Sequence, residues 1–437
     1  MSSYKTRKTL GDTTWFTHDR FGMFIHWGIY ALPARHEWVK SRECTPEEKY
    51  QQYFEHFDPD LYDPHEWAAQ AKAAGMKYAV LTTKHHDGFC LFDSKFTDYK
   101  STNTPAGRDL VKEYVDAFRA AGIKVGFYYS LIDWHHPDFT LDRIHPRRKD
   151  EDAEKINEGR DMTRYAQYMR DQVTELLTNY GKIDILWFDF SYVDTPSERF
   201  PKGKGKDDWE SEKLLAVARD LQPNVIIDNR TDIEQDLWTP EQFQPNEWLK
   251  HEETGEYVVW EACQTFSGSW GYYRDELTWK SPEMLIRMLV KTVALGGNLL
   301  MNVGPTARGF LDSRATDALG VYANWMKYNS RSIYGCTMAE PDILPSLPAD
   351  CRYTQSEDGK RLYLHLFAWP FMHIQLPGMA GRVSYAQMLH DGSEIEFTEG
   401  ELKHFGVGLP KGDDLLVMML PVVKPDILVP VIEIFLK

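Results

Sequence analysis

The chain has 437 residues, too many for one small domain and about right for one large barrel plus an accessory module. Hydrophobic residues make up 42 %, enough for a substantial core, while a formal net charge of −16 and the lack of any Lys/Arg cluster interleaved with aromatics exclude a nucleic-acid groove. Five scattered cysteines, Cys44, Cys90, Cys263, Cys336 and Cys351, have no C-x-x-C spacing, so neither a zinc cage nor a disulfide framework is indicated and free thiols are expected.

The N-terminal MSSYKTRKTLGDTTWF is polar and lacks the apolar run of a leader, and no stretch approaches the roughly 20 apolar residues of a membrane span. A protein with no membrane partner is expected, cytoplasmic unless it is a trimmed secreted form. The aromatic fraction, 14 % with 14 Trp, suits either a large core or stacking on the C–H faces of sugars.

In chain order, short apolar runs alternate with helical patterns as far as about residue 335, the signature of repeated βα units around a parallel sheet. Strands are expected at 23–27, 78–84, 125–130, 183–188, 225–228, 258–261 and 299–303. Helices are expected at 64–74, 110–121 and 162–180, closed by Gly75, Gly122 and Gly181, and again at 210–221 and 282–295. Seven or eight such units over more than 300 residues favour a (β/α)8-like TIM barrel over an open doubly wound sheet, and no G-x-G-x-x-G follows the first strand. Prolines 341, 345 and 348 then mark a connector. Short alternating segments at 361–367, 372–376, 394–397, 415–419 and 432–436 read as a C-terminal antiparallel β-sandwich, giving a barrel domain over 1–337 and a sandwich over 338–437.

A barrel carries its chemistry at the C-terminal ends of its strands. The fourth strand, IDILWFDF, ends by placing Asp189 among Trp187, Phe188 and Phe190. A charge at the end of a strand buried on both faces is costly unless chemistry uses it, so Asp189 is the first candidate nucleophile; the alternative is an aspartate capping the next loop. Trp187 and Asp189 share strand parity and should face the same side. The first strand, FGMFIHWG, offers His26, either a site residue or a hydrogen-bonded core histidine, and its loop offers His36, Glu37 and Trp38. The second ends in KHHDG. Strand alternation would send its neighbours His85 and His86 to opposite faces, where they could not easily share one metal ion, so neutral imidazoles donating to hydroxyls fit better, and no metal is expected. The third, GFYYSLIDWHHP, brings Tyr128, Tyr129, Asp133 and Trp134 to the rim; the fifth brings Asp228, Asn229 and Arg230. The sixth, WEACQTFSGSWGYYRDE, adds Glu261, Gln264, Trp270, Asp275 and Glu276, and Asn302 of the last, GGNLLMNVGP, is placed to orient the strand–loop junction. With no phosphate-binding loop, no pyridoxal-type signature and no serine elbow, a rim of His, Tyr, Trp, Asp and Glu suits a polyol and requires no cofactor. Sugar hydrolysis needs two carboxyls flanking the glycosidic bond, and several are available here.

At these motifs the chain resembles the α-L-fucosidases of glycoside hydrolase family 29. The strings FGMFIHWG, Glu37–Trp38, YAVLTTKHHDGF, GFYYSLIDWHHP, LWFD, WEACQTFSGSWGYYRDE and GGNLLMNVGP stand in family order from about residue 15 to 335, and RSIYGC with the β-rich tail fits as well. The resemblance implies a (β/α)8-like barrel, a β-sandwich, and metal-free retaining hydrolysis of terminal α-L-fucose from fucosylated glycans. It also implies Asp189 as nucleophile and a fucose pocket of His26, Glu37, Trp38, His85, His86 and Trp187, joined by Tyr129 with Tyr128 as the other register. The acid/base does not transfer directly: Glu276 is the first choice, Asp275 the second and Glu261 the third. Part of the family has arginine where this chain has Gln264, so a pocket contact can differ here. Trp38, Trp187 and Phe24 are candidates for an apolar patch under the fucose methyl. Other readings are a catalytically silent fucose-binding barrel and a metal-dependent hydrolase. The tail could lend an edge or loop to a second subunit in a homo-oligomer.

Overall fold

The computed structural model describes residues 3–194, 197, 199–400 and 414–437. Among them, seven strands form one parallel sheet: β1 Phe21–Ile25, β2 Tyr78–Lys84, β3 Lys124–Ser130, β4 Ile185–Asp189, β5 Ile226–Ile227, β6 Glu261–Thr265 and β7 Asn298–Val303. Their order is β5-β4-β3-β2-β1-β7-β6, so the first strand pairs with both β2 and β7, as in a sheet curling into a barrel. The gap between β5 and β6 is bridged by an irregular segment: Asp236 and Leu237 donate to Ile227 O, Trp238 donates to Val259 O, and Gln242 donates to Cys263 O. Helices pack outside. Pro64–Ala73, Leu110–Ala120, Met162–Asn179, Ser211–Leu221 and Pro282–Ala294 lie where helical periodicity placed them. The first three start on Asp63, Asp109 and Asp161, whose carboxylates accept backbone N–H groups of the first turn. Gly75, Gly122 and Gly181 all take positive φ behind them.

The strand alternation separates two cores. One side of each strand joins the large cluster packed under the helices, including Met23, Leu81, Phe127, Tyr129 and Phe188. The other fills the barrel interior with Phe24, Val80, Tyr128, Ile185, Trp187 and Cys263.

Beyond residue 335 every pairing is antiparallel. Strands β8 Cys336–Thr337, β9 Cys351–Ser356, β10 Arg361–Leu366, β11 His373–Pro377, β12 Val383–Met388, β13 Phe397–Glu399, β14 Leu415–Met419 and β15 Val431–Leu436 form a five-stranded sheet, β12-β15-β10-β9-β8, and a three-stranded one, β11-β14-β13. Leu362, Leu364, Ile374, Leu416, Ile432 and Ile434 lie in the cluster between them. Trp325 on the helix Ser313–Asn329 donates to Leu428 O, and Arg287 on Pro282–Ala294 donates to Phe367 O, tying this part to the barrel.

The structure departs from the sequence reading in places. The sixth strand runs over Glu261–Thr265 rather than 258–261, because Val258, Val259 and Trp260 pair with Leu249 and Trp238 in the bridging region and the ladder to β7 begins only at Glu261. Strands β9 and β12 were not expected: the buried face of β9 includes Thr354, which pairs with His365 Nε2 at 2.9 Å and donates to Ser332 O at 2.7 Å, and a register shift between Val383 and Tyr385 interrupts the alternation of β12. No helix among the described residues is long and apolar enough to cross a membrane.

Candidate active site

Asp189 closes β4 and sits at the bottom of a pocket at the C-terminal ends of the strands, 8 % exposed. Its Oδ2 accepts from Tyr128 Oη at 2.8 Å and lies 3.7 Å from His86 Nε2; its Oδ1 accepts from Arg230 Nη1 at 2.8 Å. Burial raises the carboxyl to about 6 despite the Arg230 charge and the Tyr128 hydrogen bond, with the nearby Glu241 charge adding to the rise. The next residue, Phe190, has φ +140°, a conformation costly for a side chain of this size, and its ring packs against Trp38, His86 and Tyr192. The Asp189 carbonyl is held by Leu131 N at 2.6 Å. The nucleophile candidate is therefore fixed from both backbone and side chain.

The histidines are oriented by elimination. Asn302 Nδ2 donates to Trp270 O at 2.7 Å, which leaves Oδ1 to accept from His26 Nδ1 at 2.7 Å. The neutral His26 ring therefore turns an unprotonated Nε2 away from Asn302. Ser130 Oγ donates to Ile132 O, so it must accept from His86 Nδ1 at 2.6 Å, leaving His86 Nε2 without a proton as well. Burial holds His26 at about 3 and pushes His85 and His86 well below the ordinary range. The expectation that His85 and His86 donate to hydroxyls is reversed for His86, which like His26 presents an acceptor. His85 stacks on Tyr128 with its Nδ1 unpartnered. Glu37 is buried and accepts from Gly271 N at 2.8 Å, and burial raises its carboxyl.

Of the residues singled out from sequence, His26, Glu37, Trp38, His85, His86, Trp187 and Asp189 line one pocket. Five of the pocket and acid/base candidates do not join it. Tyr129 lies opposite Phe188 in the β3–β4 ladder and turns to the helices, where its hydroxyl donates to Gln172 and Lys84 caps its ring at 4.3 Å. Tyr128, opposite Trp187, takes the inner place. Gln264 shares parity with Ala262 of the outer core, and Cys263 lines the pocket instead. Glu276 turns its carboxylate onto Thr278 N and Oγ1 at 2.7 and 2.6 Å, which with the local backbone lowers it in spite of burial. Asp275 is exposed beside Arg274. Glu261 lies deeper in the barrel, raised to about 8 by burial and bonded to Tyr78 Oη at 2.5 Å.

The carboxyl that does face Asp189 is Glu241. It lines the same pocket, and its Oε2 accepts from Arg230 Nη1 at 2.7 Å, the nitrogen that also holds Asp189. Arg230 is steadied by Thr239 and by the Trp187 ring, 4.5 Å from its guanidinium carbon. Sequence reasoning passed over Glu241 because TPEQFQP carries no period, and its one signal is an acid just past the fifth strand. Phe24, Trp187 and Trp270 complete an apolar wall beside His26. Among the described residues no group of three or more His, Cys, Asp or Glu is arranged to hold a metal ion.

A buried carboxylate at a barrel rim, faced by a second carboxyl and ringed by imidazoles, a phenol and indoles, defines a glycoside hydrolase. The α-L-fucosidase family model matches residues 2–331, and the chain belongs to that family, glycoside hydrolase family 29. It is similar to α-L-fucosidase isoenzyme 1 from Paenibacillus thiaminolyticus, 47 % identical with TM-score 0.86 over 97 % of this chain and 98 % of that one. The α-L-fucosidase of Dictyostelium discoideum is 27 % identical over 390 residues, 82 % of this chain and 78 % of its own length. A family 29 enzyme of Bacteroides thetaiotaomicron, solved as a trapped covalent intermediate with 2-fluoro-fucosyl fluoride, is 25 % identical with TM-score 0.80 over 100 % of this chain and 99 % of its own.

Proposed function

We propose that the protein removes terminal α-L-fucose from fucosylated oligosaccharides or glycoconjugates by double displacement with retention, Asp189 acting as nucleophile and Glu241 as acid/base. The observation that carries this is the shared Arg230 Nη1. The two carboxylate oxygens it holds can be no further apart than the sum of its two contacts, 2.8 and 2.7 Å. This bound on the facing oxygens accommodates the roughly 5 to 5.5 Å carboxyl spacing of retaining glycosidases.

In the first step an Asp189 oxygen attacks the anomeric carbon, the C1–O bond to the leaving group breaks, and Glu241 gives its proton to the departing oxygen. Forming the ester removes the charge at Asp189, and with it the repulsion opposing a negative Glu241. The same side chain then takes a proton from water as water attacks C1 and Asp189 departs as carboxylate. The net change is fucoside plus water to fucose plus alcohol. His26 Nε2 and His86 Nε2 accept from sugar hydroxyls, and the Phe24, Trp187 and Trp270 wall suits the C6 methyl. A trapped covalent intermediate in a relative supports the two-step reading. The test is a labelling experiment with 2-fluoro-fucosyl fluoride, followed by peptide mapping, alongside NMR of the first-formed anomer. A label on Asp189 with α-fucose formed first is expected; a label elsewhere or β-fucose overturns the assignment.

A further inference from the structure

A cleft of about 630 Å³ opens beside the catalytic pocket, between residues 44–48 and the long loop after β3, residues 134–160. Trp134 links the two, packing behind residues that line the catalytic pocket. Its ring lies 5.3 Å from Trp38 and 5.5 Å from His86 on the catalytic side, and the same residue lines the cleft on the other.

Two buried nitrogens in this lining have no hydrogen-bond partner: Nε1 of Trp134, 3 % exposed, and Nε2 of His145, 1 % exposed. An indole N–H can only donate. His145 is fixed as a donor too, because its Nδ1 accepts from Arg147 N at 3.1 Å, which puts the proton of a neutral ring on Nε2. The ring is neutral: burial, followed by the charges of Arg160, Lys40, Lys204 and Arg147, holds it well below the ordinary range. Lys40, Lys204 and Arg147 have carboxylates in contact, in Glu47, Asp142 and Asp150. Arg160 instead donates to the carbonyls of His136 and Phe139, and among the described residues neither it nor the exposed Lys149 has a carboxylate in ion-pair contact. Glu48 stands exposed at the rim. In a lining whose Glu47 and Asp150 are engaged by Lys40 and Arg147, two buried donors and two cations without counter-ions call for a partner that only accepts.

We propose that this cleft is a second binding site that takes an oxyanion, the carboxylate or sulfate of an acidic sugar or a free anion of the same chemistry. It adjoins the fucoside pocket but does not depend on that reading. The experiment is calorimetric titration of the whole chain with inorganic sulfate, methyl β-D-glucuronide and neutral methyl β-D-glucoside, repeated on His145→Asn and Lys149→Glu. Asparagine keeps an acceptor for Arg147 N while removing the buried donor. Saturable binding of an anionic probe, about tenfold or more weaker in both variants, is expected, with no binding of the glucoside and unchanged kcat/KM on a neutral aryl α-L-fucoside. Tighter binding of the glucuronide identifies a glycan as the source, and binding of sulfate alone a free anion. Absence of saturable binding by either anion, equal binding of the glucoside, or affinities indifferent to both variants overturns the proposal. Absence of aryl fucoside turnover by the unmodified chain, with anion binding as expected, counts against the hydrolytic reading and leaves this one standing.

Discussion

Replacing Asp189 by asparagine should make the fold's stability relative to wild type rise with pH while ending its chemistry, and the size of the first effect follows from the burial of the carboxyl. The folded group titrates at about 6, against about 3.9 in an unfolded chain. Below about pH 4 both states hold the proton and ionisation costs the fold nothing. Between there and pH 6 the unfolded chain ionises while the folded one keeps its proton, so stability falls by about 1.4 kcal/mol per unit, about 3 kcal/mol in all, and is level above. Asparagine escapes that loss, and whatever it gives up at Arg230 and Tyr128 is independent of pH across this window. Urea denaturation of wild type and Asp189→Asn at pH 5 and pH 7.5 should therefore show the variant's relative stability rising by about 1.5 kcal/mol between the two. A relative stability that stays level or falls with pH would refute the reasoning, since it would mean that the Arg230 pair, and not burial, governs the carboxyl. Turnover of an aryl α-L-fucoside should drop by roughly 10³-fold or more in the same variant.

The remaining expectations are kinetic. In wild type, kcat/KM should rise with pH through about 6 as Asp189 loses its proton, and a flat profile from pH 4.5 to 7 would count against it as nucleophile. Glu241→Ala should lose roughly 10²-fold or more on substrates with poor leaving groups and far less on an activated aryl fucoside, with azide restoring turnover; Glu276→Ala should do neither, and the reverse pattern would return the acid/base to Glu276. Tyr128→Phe should lower kcat about tenfold by removing the hydrogen bond to Asp189 Oδ2. Tyr129→Phe should keep its kcat while losing about 1 kcal/mol of stability at the Gln172 contact, as read by urea denaturation.

Much of the barrel is legible in the sequence because its strands are short apolar runs and its helices end on glycine, signals that depend on nearest neighbours alone. Strand parity also carried Trp187 and Asp189 to one face correctly. It failed at the adjacent pair Tyr128 and Tyr129, where both residues are aromatic and only the ladder to β4 reveals which lies opposite Trp187. The carboxyl beside Asp189 was illegible for a different reason: Glu276 and Asp275 follow a run of rim-like residues, whereas Glu241 sits in an aperiodic stretch that reaches the pocket only through pairing with Ile227, Val259 and Cys263. Hydrogen-bond direction was also out of reach. That His26 and His86 offer lone pairs depends on Asn302 and Ser130, partners distant in sequence.

The stretch from Asp236 to Gln242 stands where a regular strand–helix repeat would otherwise complete the ring, and it holds Glu241 by a handful of backbone contacts. The two carboxyls thus belong to parts of very different regularity, one built into a pleated ladder, the other carried on a splice. Such a splice can change length or sequence without disturbing strand register, so the reach of the proposed proton donor, and with it the shape of leaving group accommodated, can vary while the sugar-facing side stays constant.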